Sequence, residues 1–426
     1  MNILSILEHD IIGISVVAFA ILLLFVTSEY LYRVHQIESE KTRKLVHFGS
    51  GVITLSFPWI FSSIVTIIAL AVAFIIILFI GKMTGWLSGV HNVSRTTGGA
   101  YYYPLTIILT FWLAEGNPLL FCIPISILAL SDAVAALVGK KFGRHKYAVL
   151  EGYRSIEGSL AFLLITMMLN FLGLCILSDF TALDILYISI VVGLFTTTIE
   201  GSCILGLDNL LIPYGVFLVL QNFVTHGMER MGNWVEGIGM SVLLVVGTWS
   251  VMGLTEAGAL GMFITGTIAW SLGGWLWSAP LLSLLLLSVL LTPMRIKQNN
   301  KQPKTDLDDI LPTTLGAITW ILLYQHSNNI DLFLPYITAI STGGAIAFSR
   351  LGHSSNNPRI PLAILGSIFP IVPLLFAKME LSYMQIIASA LFGLLCFYLL
   401  RNSKFPGRRL VATLFASTIS WALAYL

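Results

Sequence analysis

Apolar residues run along this chain in long blocks separated by short polar clusters. A helix needs about 20 predominantly apolar residues to cross a bilayer, and blocks of that size follow one another from Ile11 to Leu426. The polar clusters sort by sign. Basic ones fall at Arg33 to Lys44, Gly81 to Arg95, Lys140 to Arg154, Arg295 to Lys304, Arg350 to Arg359 and Arg401 to Arg409. The loops between them carry Glu115, Asp179, Asp184 and Asp331 instead. Short loops rich in Lys and Arg stay cytoplasmic. Threading the blocks through the loops predicts an all-α polytopic membrane protein of roughly 16 transmembrane helices, with both termini outside. Tyr101 to Ala114 and Leu210 to Val224 are short and read as half-membrane or tilted elements.

Composition agrees with that pattern. At 57% hydrophobic and 10% charged over 426 residues, a water-soluble fold with an apolar core and a polar surface is excluded. The net charge of +2 says little beside the distribution of charge. Membrane lipids are the expected surroundings and no nucleic-acid partner is expected; homo-oligomers are compatible with the sequence. Cys122, Cys175, Cys203 and Cys396 lie in or beside apolar segments without paired spacing and read as packing residues. The opening MNILSILEHD lacks a basic n-region, which argues against a cleaved signal peptide.

Two helical-bundle halves are expected, residues 1–230 and 231–426, with the boundary near His226 to Gly237. Before it the basic loops mix acids, bases, Gly and His; after it they are plainer. RIKQNNKQPKTDLDDI (Arg295 to Ile310) reads as a polar connector.

Four stretches of the first half carry chemistry. In KTRKLVHFGSG (Lys41 to Gly51), Arg43, Lys44 and His47 share a helical face at the start of a span, and Gly49 and Gly51 allow close approach. The positive-inside rule alone would also place bases there. SRTTGGAYYYPL (Ser94 to Leu105) offers a Gly-rich turn able to cradle phosphate, or an interfacial turn with an aromatic belt. In LSDAVAALVGKKFGRHKY (Leu130 to Tyr147), Asp132 sits inside an apolar run, and an acid within a span is expensive and usually functional. Helical spacing puts Asp132, Ala136, Gly139 and Lys140 on one face, with Arg144, His145 and Lys146 beyond. EGYRSIEGS (Glu151 to Ser159) then adds Arg154 and Glu157 on a second polar element. In TTTIEGSCILGLDNLLIPYG (Thr196 to Gly215), Glu200 ends one span while Asp208 and Asn209 begin the next. Asp208 and Asn209 also suit a helix cap.

Carboxylates beside Lys and Arg suit a divalent cation with a polyphosphate, because hard oxygens bind Mg²⁺ and the bases neutralise phosphate. The spacing goes further. Arg-Lys-x-x-His-x-x-x-Gly (Arg43 to Gly51), Ser-Asp-Ala-x-Ala-Ala-x-x-Gly-x-x-Phe-Gly (Ser131 to Gly143), Arg-Ser-x-Glu-Gly-Ser (Arg154 to Ser159) and Glu-x(7)-Asp-Asn-Leu-x-x-Pro (Glu200 to Pro213) resemble the phytol kinase and dolichol kinase family. Two departures stand out: Arg154, Ser155 and Ile156 replace the usual Lys-Ser-Trp, and Leu207 precedes Asp208 where an aspartate pair is usual. The resemblance implies a membrane-embedded kinase that passes phosphate from a nucleoside triphosphate, typically CTP, to an isoprenoid alcohol such as phytol, geranylgeraniol or a polyprenol. It implies Mg²⁺ as cofactor, and Asp132, Glu200 and Asp208 as catalytic and metal-binding residues. It implies a nucleotide site of Arg43, Lys44, His47, Lys140, Arg144, Arg154, Glu157 and Asn209, on the cytoplasmic face.

Gly253 to Thr292 more faintly resembles the family that includes phytyl-phosphate kinase. Where that family carries acidic and Gly-rich signatures, TAISTGGAIAFSRLGHSSNNPR (Thr338 to Arg359) has no carboxylate, so residues 231–426 are expected to lack catalytic residues of their own. Two other classes stay open. A phosphatidate cytidylyltransferase also joins CTP to a lipid, but its long signature ending in His-Gly-Gly is not found here. A transporter or scaffold would also carry acids and glycines within spans.

Overall fold

A computed structural model describes residues 3–91, 99–149, 152–202, 206–299, 305, 307–327, 329–349, 359–377, 383–400 and 408–424. Several readings lie outside these residues: Ser94 to Gly98 of the Gly-rich turn, Glu151, Cys203, most of the connector before Leu307, and residues 350–358 with Arg350 and His353. The side chain of Cys396 lies outside them too. The chain forms two compact units, Met1–Glu229 and Arg230–Leu426.

The first unit holds α1 (Ile3–Arg33), α2 (Ser39–Thr54), α3 (Phe57–Ile60), α4 (Ile64–Thr84), α5 (Ser88–His91), α6 (Gly99–Ala114) and α7 (Pro118–Phe142). After a hairpin of β1 (Lys146–Val149) and β2 (Gly152–Ser155) come α8 (Ile156–Leu177), α9 (Ala182–Ser202) and α10 (Asp208–His226). The second unit holds α11 (Met231–Met252), α12 (Glu256–Asn299), α13 (Leu307–Ser327), α14 (Phe333–Ser349), α15 (Arg359–Ile368), α16 (Tyr383–Leu400) and α17 (Arg408–Ala424).

Helix α7 is the axis of the first unit and packs against α2, α6, α8 and α10. Because neighbours surround it, its buried residues run almost without a gap from Leu119 to Ala129 in place of a one-sided stripe. Asn117 caps its start by accepting the Leu119 N–H at 3.0 Å. Small residues set its contacts. A Cβ on Gly51 of α2 would stand 2.4 Å from the Ala129 Cβ, and one on Gly158 of α8 would stand 3.1 Å from the Ala135 carbonyl. Large apolar side chains such as Phe19, Phe79 and Ile176 point outward, as they would into lipid. In the second unit α14 is central, buried from Phe333 to Ala345, and packs against α13, α15, α16 and α17.

This is a helical, polytopic membrane architecture. Eight segments among the described residues are long and apolar enough to cross a bilayer, and three shorter apolar helices accompany them. The roughly 16 spans read from window length are therefore not reached. Two of the eight segments, Asp208–Met252 and Glu256–Pro293, run to 45 and 38 residues. The first is interrupted by a 3-10 turn at Gly227–Arg230, the second by non-helical backbone at Gly274. Helices such as α2 and α6, at 16 residues each, fall short of a span. The hairpin was not foreseen: β1 and β2 pair antiparallel, with Tyr147 opposite Arg154 and Val149 opposite Gly152.

Candidate active site

A cavity of about 450 Å³ opens inside the first unit, and α2, α7, the hairpin, α9 and α10 deliver its charged side chains. The helical spacing of α7 sets Asp132, Ala136, Gly139 and Lys140 along one wall. Helix α2 contributes Glu40, Arg43, Lys44, His47 and Ser50, the face its i, i+3 and i+4 spacing dictates. The hairpin lays Lys146 and Arg154 over the opening, and the facing ends of α9 and α10 add Glu200, Asp208 and Asn209. Phe74 and Leu78 of α4 with Val90 of α5 form an apolar side.

The charges are ordered by pairing. Arg154 forms a close ion pair with Glu200 through Nη1, and its Nη2 stands 3.8 Å from Asp208 Oδ2. The other Glu200 oxygen, Oε2, is buried with no hydrogen-bond partner among the described residues. Arg43 meets Glu40 at 3.0 Å, and Lys140 meets Glu38 at 3.5 Å. His47 rests its Nε2 3.3 Å from the Leu128 carbonyl, with Asp132 and Asp208 as charged neighbours. Asp132 itself has no hydrogen bond or ion pair among the described residues.

Asp208 begins α10 and accepts the Asn209 N–H at 3.0 Å. Asn209 is held in turn: its carbonyl accepts Thr106 Oγ1 at 2.6 Å, and a Cβ on Gly99 would press to 2.5 Å from its Nδ2. The first turn of α6 therefore seats itself on Asn209, and a side chain at Gly99 would have to displace the Asn209 amide.

Nine of the eleven residues singled out from sequence line this one cavity: Arg43, Lys44, His47, Asp132, Lys140, Arg154, Glu200, Asp208 and Asn209. Arg144 and Glu157 do not. Arg144 is exposed beside the hairpin. Glu157 accepts the His145 backbone N–H at 3.2 Å and contacts its Nδ1 at 2.8 Å, bracing the junction of hairpin and α8. Tyr103 had been weighed as part of an aromatic belt; it is buried in the cavity wall, its ring edge-on to His47 at 5.1 Å. Glu40, not singled out from the sequence, lines the cavity as a further acid. Its i, i+3 spacing to Arg43 was the available signal.

Mg²⁺ fits part of this arrangement. Among the described residues no group of three or more His, Cys, Asp and Glu could hold a metal ion. Of the three acids Asp132, Glu200 and Asp208, Arg154 stands against two, Glu200 closely and Asp208 at 3.8 Å. Mg²⁺, however, is usually bound by one or two carboxylates together with substrate phosphates, and Asp132 and Asp208 are hard oxygen donors on the wall of one cavity.

Comparison with known proteins adds a relative. The chain is 30% identical over 200 residues to a phytol kinase of Synechocystis sp., a match that takes in 45% of this chain and 83% of that protein. No family model and no solved structure matches. The likeness read in Gly253 to Thr292 finds no support in these comparisons.

Proposed function

We propose a lipid phosphotransferase, because the chain belongs to the phytol kinase family. The terminal phosphoryl group of a nucleoside triphosphate, CTP, passes to the hydroxyl of an isoprenoid alcohol of the phytol, geranylgeraniol or polyprenol type. One observation carries this reading: acids, bases and an apolar wall share a single cavity in a membrane protein. A soluble sugar kinase would not need that wall, and a lipid scaffold would not need the acids and bases.

Phosphoryl transfer asks chiefly for alignment and neutralisation of charge. Arg43, Lys44, Lys140, Lys146 and Arg154 face the space a triphosphate would fill. Phe74, Leu78 and Val90 face the prenyl chain. The alcohol oxygen forms a bond to the terminal phosphorus as the bond to the bridging oxygen breaks, and the nucleoside diphosphate leaves with that electron pair. The alcohol proton passes to Asp132, the cavity acid without an ion-pair partner among the described residues. Asp208 would hold Mg²⁺ against the phosphates; the ion, when bound, neutralises charge on the phosphate oxygens. Glu200 positions Arg154. Its removal leaves the guanidinium with the longer contact to Asp208, at 3.8 Å, which costs alignment before it costs binding.

Purified protein incubated with labelled CTP, ATP or GTP and with phytol, farnesol, geranylgeraniol or polyprenols tests the reading. The expected product is a prenyl monophosphate formed best with CTP and dependent on Mg²⁺. A cytidylylated lipid with release of pyrophosphate, or no prenyl phosphate from any pair, overturns it.

A further inference from the structure

The second unit contains a cavity of its own, about 410 Å³, within the about 300–1,000 Å³ range of small-molecule sites. Its lining has two features that together define a ligand. Among the described residues none of the lining side chains is ionisable, so nothing there answers a phosphate or a carboxylate. Leu, Val and Met are the largest share of the wall, and Met240 and Met262 are adaptable enough to follow an irregular chain.

The second feature is the direction of the hydroxyls. Thr265 donates to the Gly261 carbonyl at 2.7 Å, Ser278 to Gly274 at 2.9 Å, Ser288 to Leu284 at 2.9 Å and Thr314 to Ile310 at 2.9 Å. Each hydroxyl thus reaches the helix carbonyl four residues back, and Thr265 also stands 3.1 Å from Thr314 Oγ1. What these four side chains present to the cavity is mainly lone pairs, which accept from a donor, beside the hydroxyls of Ser241 and Thr313. A carbonyl, an ether or a phosphate ester oxygen brings no donor. An alcohol O–H does. The kink of α12 at Gly274, with φ 66°, keeps this part of the wall from closing as a continuous helix would.

We propose that the second unit holds a binding site for the free isoprenoid alcohol, one that admits the substrate and rejects its phosphorylated product. The identity of the alcohol rests on the kinase reading; the preference for an uncharged donor rests on this cavity alone. Such a site gathers a scarce substrate from the bilayer without retaining the product.

A photoreactive diazirine analogue of geranylgeraniol, applied to the full-length protein in nanodiscs, tests this. Labelled peptides from Met240 to Ser288 are expected, with labelling suppressed at least tenfold by excess geranylgeraniol and unchanged by geranylgeranyl monophosphate. Met262→Trp, which fills the cavity, should abolish that labelling, while Met262→Ala keeps it. Equal competition by the monophosphate, labelling that survives Met262→Trp in folded protein, or labelling restricted to the first unit overturns the proposal. Competition by phosphatidylcholine equal to that by the alcohol would make the cavity a general lipid site and overturn it as well. Phosphorylation of the same analogue, measured in parallel, separates the two readings: labelling without phosphorylation defeats the kinase, and phosphorylation without labelling defeats this site.

Discussion

Arg154 touches two acids, Glu200 through one terminal nitrogen and Asp208 through the other. Its side chain is 25% exposed and that of Glu200 5%, so the pair sits at the cavity mouth with its acidic end inside. Removing one partner of a buried pair costs about 3–5 kcal/mol, because the other charge stays buried. Glu200→Gln and Arg154→Met should each lower thermal stability toward the lower end of that range. The double variant should lose less than the sum, and strict additivity in melting experiments would show that the two side chains are not coupled. The cavity lysines should separate by kinetics. Lys140 stands on the face of α7 that carries Asp132, where charge develops on the transferring group. Lys140→Met should lower kcat by about 100-fold or more, the scale of losing one preorganised electrostatic contact. Lys146→Met, on the hairpin, should chiefly raise the KM for nucleotide. Steady-state kinetics on the two variants would contradict this assignment if the effects were exchanged.

Helix contacts decide whether those side chains meet. Gly51 packs α2 against α7 so closely that a Cβ would stand 2.4 Å from that of Ala129, a group unable to turn aside. Gly51→Val should cost about 1–3 kcal/mol, the usual range for overpacking, and should reduce kcat by displacing Arg43 and His47 with α2. A melting temperature within a degree of the parent would show that the helices can part without cost. The same contacts explain what was legible beforehand. Asp132, Gly139 and Lys140 lie on one continuous helix, so 3.6-residue periodicity was enough to align them. Glu200 and Asp208 are close in the chain, so sequence proximity brought them together. The hairpin was not legible. Lys146 to Ser155 has no strong alternation, and its pairing is secured from outside by Glu157, twelve residues on from His145 in the chain. Glu157 accordingly read as a ligand when its contacts are those of a brace. The place of Tyr103 stayed open because an aromatic beside a polar turn has the same local pattern at a membrane interface as in a cavity wall.

Across the whole molecule, length and apolarity established a membrane protein but not its span count. Block length cannot distinguish one long kinked segment from two spans, and α12, bent at Gly274, shows why. Sidedness rests on the distribution of Lys and Arg and has a direct check. In a cysteine-free background, Lys141→Cys should react with a membrane-impermeant maleimide only from the cytoplasmic side and Asp179→Cys only from the other. Both positions are exposed, and labelling of both from one side would refute the assigned orientation.

Asp132 bears the central claim, since it alone combines a place within an apolar helix, a face on the cavity and freedom from any ion-pair partner among the described residues. The most direct measurement is the rate at which Asp132→Asn transfers the terminal phosphate of labelled CTP to geranylgeraniol, read beside the melting curve of the same preparation. Asparagine keeps the shape and removes the proton-accepting charge. The expected result is a fall in kcat of at least about 100-fold, the low end of what a positioned acid or base contributes, with melting unchanged. Activity within a few-fold of the parent in folded protein would contradict the account.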